Sequence, residues 1–129
     1  MQHLAKVIPA LIALLFLVMG VSFVFDPVAG AAQVGVTPLG ADGLNTIRGD
    51  LGGLFLSCAI LLLLGIWRAE GAWLIAVAVL MLVIASGRLI GFVVDGSPGQ
   101  ATLTAFIFEL VIAAGLIYSS RRIGGKSTP

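Results

Sequence analysis

Four long apolar runs separated by short polar breaks dominate this chain. A helix needs about 20 apolar residues to cross a hydrocarbon core of about 30 Å. Runs of that length fall at about 5–25, 46–67, 72–94 and 98–120. The first carries Pro9 in its opening turn, where proline is tolerated. The fourth opens on Ser97-Pro98-Gly99-Gln100: serine as cap, proline next, glutamine three after the serine. Runs two and three are joined by Arg68-Ala69-Glu70-Gly71, and three and four by Asp95-Gly96-Ser97. Such short links make the joined helices antiparallel neighbours. The pattern predicts an all-α fold, one integral-membrane up-down four-helix bundle. The link 26–45 carries Asp26 and Asp42 but no Lys or Arg, and reads equally as a partial lid along the membrane surface or a plain outer loop. Residues 121–129 form a basic tail.

Composition agrees. Of 129 residues, 60% are hydrophobic and 10% charged, too little charge to cover a soluble domain. A net charge of +1 provides no basic patch for phosphates, which argues against a nucleic-acid partner. With one cysteine, Cys58, and one histidine, His3, no internal disulfide forms and a metal or haem centre lacks ligands. No cofactor is expected. The apolar N-terminus behind Lys6 also resembles a signal peptide, with VAGAA as its cleavage site. Its apolar stretch is longer than usual for that role, and removing it would leave the termini on opposite sides. The span reading is preferred.

Charge asymmetry sets the expected orientation. Lys6, Arg68, Arg121, Arg122 and Lys126 fall on one side, with Trp67, Trp73 and Tyr118 as an interfacial belt. Asp26, Asp42 and Asp95 fall on the other. Both termini are therefore expected in the cytoplasm. The asymmetry weighs against a dual-topology transporter of the small multidrug-resistance kind.

Arg48, Asp50, Arg88, Asp95 and Glu109 lie within or at the edge of the spans. A charge at bilayer centre costs about 2.5–3.5 kcal/mol on insertion scales, so such residues face the bundle interior and pair. Arg88 is about 10 Å inside Asp95, and Glu109 about 13 Å inside its helix start. All five gather toward the outer half, which predicts one polar site. Arg88, Gly91 and Asp95 share a face, as do Thr102, Ala105, Glu109 and Ala113. Gly49, Gly52, Gly53 and Ser57, with Gly87 and Gly91, supply small residues expected to let helices approach closely. Arg48-Gly49-Asp50 is an Arg-Gly-Asp tripeptide, but adhesion needs an exposed turn and this one opens a span. In a helix its two charges point to nearly opposite sides, so Asp50 is expected to turn inward toward Arg88 while Arg48 follows the rim.

The run NTIRGDLGGLFL, then GRLIGFVVDG and a glutamate in the last span, resembles a bacterial family of small four-span membrane proteins known as domain of unknown function 4345. Its motif elements here are Asn45, Arg48, Gly49, Gly52, Gly53, Arg88, Gly91, Asp95, Gly96 and Glu109. The resemblance implies a multi-pass protein of the bacterial inner membrane and no activity. Two functional readings follow. In the first, the protein is non-catalytic and a buried charge cluster fixes helix packing or docks a partner, a second copy or another membrane protein. In the second, Glu109, Arg88 and Asp50 serve proton- or cation-coupled binding or transport of a small solute or lipid headgroup. An enzyme is disfavoured: the sequence offers no Ser-His pair, no Cys-His pair and no HExxH.

Overall fold

The computed structural model describes residues 2–123; residues 124–129 of the basic tail, Lys126 among them, lie outside the described residues. Among the described residues the secondary structure is helical throughout. Helix α1 spans Gln2–Phe25, α2 Pro27–Gln33 and α3 Gly40–Thr46. A π-helical turn, Ile47–Gly52, leads without a break into α4, Gly53–Arg68. Helices α5, Gly71–Val94, and α6, Gln100–Ile123, complete the chain. Four continuous helices are long and apolar enough to span a bilayer: His3–Phe25, Gly40–Arg68, Gly71–Val94 and Gln100–Ile123.

The second of these is longer than expected, 29 residues rather than a start near Thr46. The link before it is largely helical too. Asp26 caps α2, its Oδ1 accepting from the Ala29 amide at 3.2 Å, and Pro27 occupies the first turn, where its missing N–H costs nothing. Helix α6 starts two to three residues later than the Ser97-Pro98 signal suggested. The Leu103 amide bonds the Gly99 carbonyl at 3.0 Å, so the cap position has moved to Gly99.

The tight turns follow from local chemistry. Ala69 adopts a left-handed conformation (φ 54°) after α4, and the Glu70 amide returns to the Gly65 carbonyl at 3.0 Å, closing the last turn. After α5 the same job falls to Gly96 at φ 95°, a region open to glycine. The four long helices alternate in direction around a square, with α1 beside α4 and α6, and α5 beside α4 and α6. The two pairs α1–α4 and α5–α6 pack most extensively.

Phe16, Leu62, Leu74 and Leu116, one from each helix, lie in a single buried core with Val77, Met81 and Ala113. A smaller cluster of Phe23, Ala31 and Ile47 joins the end of α1 to α2 and the π turn. Burial on α5 stops at Ala85, and on α6 it begins only at Glu109. The four helices are thus packed together toward the end bearing Lys6, Arg68 and Arg121. Toward the other end the two pairs stand apart.

Close approach uses mostly different glycines from those expected. A Cβ on Gly52 would meet Val24 Cγ2 at 2.7 Å, and one on Gly20 would meet Leu56 Cγ at 2.7 Å. One on Gly71 would strike the Ser120 backbone carbonyl. At Gly49, Gly53 and Gly87 a Cβ would meet nothing within 4 Å, and at Gly91 only the Asp95 carboxylate at 3.7 Å. Ser57 is exposed. Spacing alone located small residues but not the faces that touch.

Two substitutions on α5 separate these cases. Gly71→Ala must push α5 off the α6 backbone and should cost about 1–3 kcal/mol. Gly87→Ala has free space and a better helix propensity, and should be neutral or stabilising by up to about 1 kcal/mol. Unfolding in mixed micelles by denaturing detergent reads both, and equal midpoints for the two would contradict the packing described.

Candidate functional site: an ion pair in an apolar cleft

The most extensive helix contact, α5 on α6, sets Arg88 opposite Glu109. Arg88 Nε donates to Glu109 Oε1 at 2.7 Å. The pair is well shielded, with side-chain exposures of 26% for Arg88 and 11% for Glu109. An N–H···O contact this short between charged groups is of the strong, charge-assisted kind. It is monodentate. Glu109 Oε2 is buried and has no hydrogen-bond partner, and no second guanidinium nitrogen of Arg88 has one among the described residues.

The other expected site residues stand apart from this pair. Asp50, Arg48 and Asp95 are all exposed. Asp50 does not reach Arg88, and among the described residues no further charged group joins the Arg88–Glu109 pair. The reason lies in the backbone. The helix begins at Gly40 and widens into a π turn over Ile47–Gly52, so a 3.6-residue phase counted from Thr46 does not hold at Asp50. Arg48 uses the turn differently. Its Nε donates to the Val24 carbonyl at 3.1 Å, near the end of α1, where carbonyls lack helical partners and the last turn carries no basic residue. Asp95 forms the C-cap residue of α5, its amide bonding the Gly91 carbonyl at 2.8 Å.

Where the helix pairs diverge they leave a cavity of about 680 Å³. Its walls come from all four long helices: Leu15, Phe16 and Met19 of α1; Leu51, Leu54 and Phe55 around the π turn and α4; Met81, Ile84 and Arg88 of α5; and a stripe of α6 from Ala101 to Ile112. Gln33, Val34 and Val36, at the end of α2 and just beyond, complete the lining. Polar side chains in this lining are few: Arg88, Glu109, Gln33 and Thr104. Thr104 donates its hydroxyl proton to the Gln100 carbonyl at 2.8 Å, which leaves its oxygen as an acceptor. An apolar pocket with a few convergent polar groups is the usual form of a small-molecule site.

Gln33, Thr104 and Phe108 were not anticipated. Thr104, Phe108 and Ile112 follow the helical spacing of the stripe that carries Glu109, so periodicity could have found them. Gln33 could not be placed, because nothing in the Gly- and Ala-rich link says where its helix folds back.

Four apolar helices in an up-down square define a small multi-pass membrane protein. The chain belongs to the family described as Domain of unknown function (DUF4345), whose model matches residues 4–119. No curated protein and no solved structure is found to match it.

Removing one partner of the pair isolates its contribution. Arg88→Ala should strand the shielded Glu109 carboxylate and cost about 3 kcal/mol, the lower end for buried pairs because Arg88 retains some exposure. Arg88→Leu with Glu109→Leu should recover most of that loss, whereas Arg88→Leu with Asp50→Leu should recover none. Recovery by the Asp50 combination would place Asp50, not Glu109, against Arg88.

Proposed function

We propose that this is a non-catalytic binding protein that takes up a small membrane-borne molecule in the cleft beside Arg88 and Glu109. The supporting observation is the cavity itself: about 680 Å³, bounded by all four long helices, with an ion pair in a mostly apolar wall. That volume falls within the range of about 300–1,000 Å³ common for small-molecule sites. An ion pair that only fixed helix packing would gain nothing from bordering a cavity, since filled space would shield it better.

The charges fit this reading in two ways. The Arg88–Glu109 contact holds α5 and α6 in register beside the cavity. Its location along the helices, seven residues before Asp95 and nine after Gln100, puts it inside the apolar zone if the helices cross a bilayer. A positive-inside orientation then places both termini and the Arg68–Glu70 turn in the cytoplasm, with the cleft in the outer half of a bacterial inner membrane. The purely structural reading keeps one point in its favour, the short 2.7 Å contact, and the two differ in what they require of the cavity.

A cavity-filling variant distinguishes them. Ala105→Trp places an indole in the cleft from α6 while leaving both charged residues in the chain. Binding requires this variant, purified in native nanodiscs, to lose a small molecule that wild type retains, as read by mass spectrometry. Equal retention with an unchanged melting temperature would favour the structural role. Topology has its own test in a Cys58→Ala background: cysteine at position 97 should react with an impermeant maleimide from outside the cell, and reaction only from the cytoplasm would reverse the orientation.

A further inference from the structure

The cleft has a polar end with a definite hydrogen-bonding demand and a definite way in. Arg88 spends one N–H on Glu109 and keeps the rest of its fork unpartnered. Those nitrogens are not sealed away: Arg88 is 26% exposed, it lines the cavity, and among the described residues only Glu109 Oε2 and Ser119 Oγ are buried without a partner. The cavity therefore offers strong donors. It offers them without net charge, because Glu109 already balances the guanidinium at 2.7 Å. An anion placed there would add an uncompensated charge to apolar surroundings, and a cation would meet the guanidinium. What completes the site at least cost is a neutral acceptor, an oxygen with lone pairs and no charge.

The way in is lateral. Helices α1 and α6 touch low in the bundle, where Gly115 lies against Ile8 and Ile12. Higher up, cavity-lining residues on these same two helices are open to the outside, Leu15 at 42% and Phe108 at 56%. On the α4–α5 side the lining residues Leu51, Leu54, Phe55, Ile84 and Met81 are buried or half-buried. Leu15 and Phe108 thus bring the apolar lining of the cavity out to the face that bilayer lipid would cover. Gln33, Val34 and Val36 border the cavity at the opposite end from the packed core, with Val34 held against the Phe23 cluster.

We infer that the occupant is a neutral lipid with a carbonyl oxygen near its polar end, entering sideways between α1 and α6 and accepting hydrogen bonds from Arg88. This rests on the binding reading above and names its ligand class. An ester-linked acylglycerol supplies the acceptor that the Arg88 donors lack. Its carbonyl faces Arg88, its chain lies along Phe16, Met19, Phe55 and Ile112, and its free hydroxyls suit Gln33 and the Thr104 oxygen.

Photolabelling with a diazirine-tagged monoolein in phosphatidylglycerol nanodiscs tests it, with labelled residues read by peptide mass spectrometry. Labels are expected on Leu15, Met19 or Phe108, and Ala105→Trp should abolish them. Unlabelled monoolein should compete. Its ether analogue, which has the same hydroxyls and chain but no carbonyl, should compete at least about tenfold less well, the loss of one hydrogen bond to a charged donor. The double variant Arg88→Gln with Glu109→Gln keeps the site neutral and leaves no stranded charge. It should narrow the ester-to-ether difference. Equal competition by the ether, or stronger competition by oleate, would overturn the carbonyl assignment while leaving binding intact. Labelling no greater than at the outward-facing Val83, and unaffected by Ala105→Trp, would overturn the binding reading itself.

Discussion

A guanidinium and a carboxylate on neighbouring apolar helices can leave water only together. Stranding either one costs several kcal/mol, while keeping both demands that their helices hold one relative position. Helices α5 and α6 meet that demand by making the most extensive contact in the bundle, which sets Arg88 against Glu109 at 2.7 Å. With that register fixed, the α6 stripe carrying Thr104, Phe108 and Ile112 must face the cavity. The pair therefore does more than tie two helices. It decides which side chains line the space beside it.

The divergence of the helix pairs follows from where small residues sit. Gly65 lies against Leu74 and Trp73, Gly71 against the Ser120 backbone, and Gly115 against Ile8. All three contacts are at the end bearing Arg68 and Arg121, and they draw α4, α5, α1 and α6 together there. At the other end the close contacts, Gly20 on Leu56, Gly52 on Val24 and Gly30 on Phe23, join α1 to α4, the π turn and α2. Nothing comparable joins α5 to α4, since a Cβ on Gly87 would meet no atom within 4 Å. Dense packing at one end and pairwise packing at the other leaves a wedge, and the wedge is the cavity.

Much of this was legible in the residue pattern. Helix number, antiparallel order and the tight turns at Ala69 and Gly96 followed from apolar run length and link length, because a span has little freedom once its length is set. That Arg88 and Glu109 gather toward one end was legible, whereas the inward partner expected for Arg88 was Asp50. What hid the choice was local backbone geometry. A π turn is not encoded by any single residue, and Ile47–Gly52 shifts the phase of Asp50 by an amount periodicity cannot see. Glycine faces failed for a related reason. GxxxG spacing marks where approach is sterically allowed, whereas actual approach depends on the neighbour, and Gly49, Gly53 and Gly87 have none. Gln33 needed tertiary information from the outset.

The same π turn explains how Arg-Gly-Asp comes to open an apolar helix. A helix that stayed regular through 40–68 would still have to meet the end of α1, whose last carbonyls have no helical partner and no local cation. Widening the turn brings Arg48 Nε to the Val24 carbonyl at 3.1 Å while Gly52 lies against Val24 Cγ2. Residues within and after the turn then fall on the positions the cavity needs: Ile47 packs with Phe23 and Ala31, and Leu51, Leu54 and Phe55 form one wall. Asp50 is left on the outside, where its charge can be hydrated, and stays clear of Arg88. Keeping that carboxylate away matters to the site. A second carboxylate beside Arg88 would compete with Glu109 for its donors and leave the pair with a net negative charge. Moving Asp50 outward preserves both the neutrality of the pair and the unpartnered donors that face the cleft.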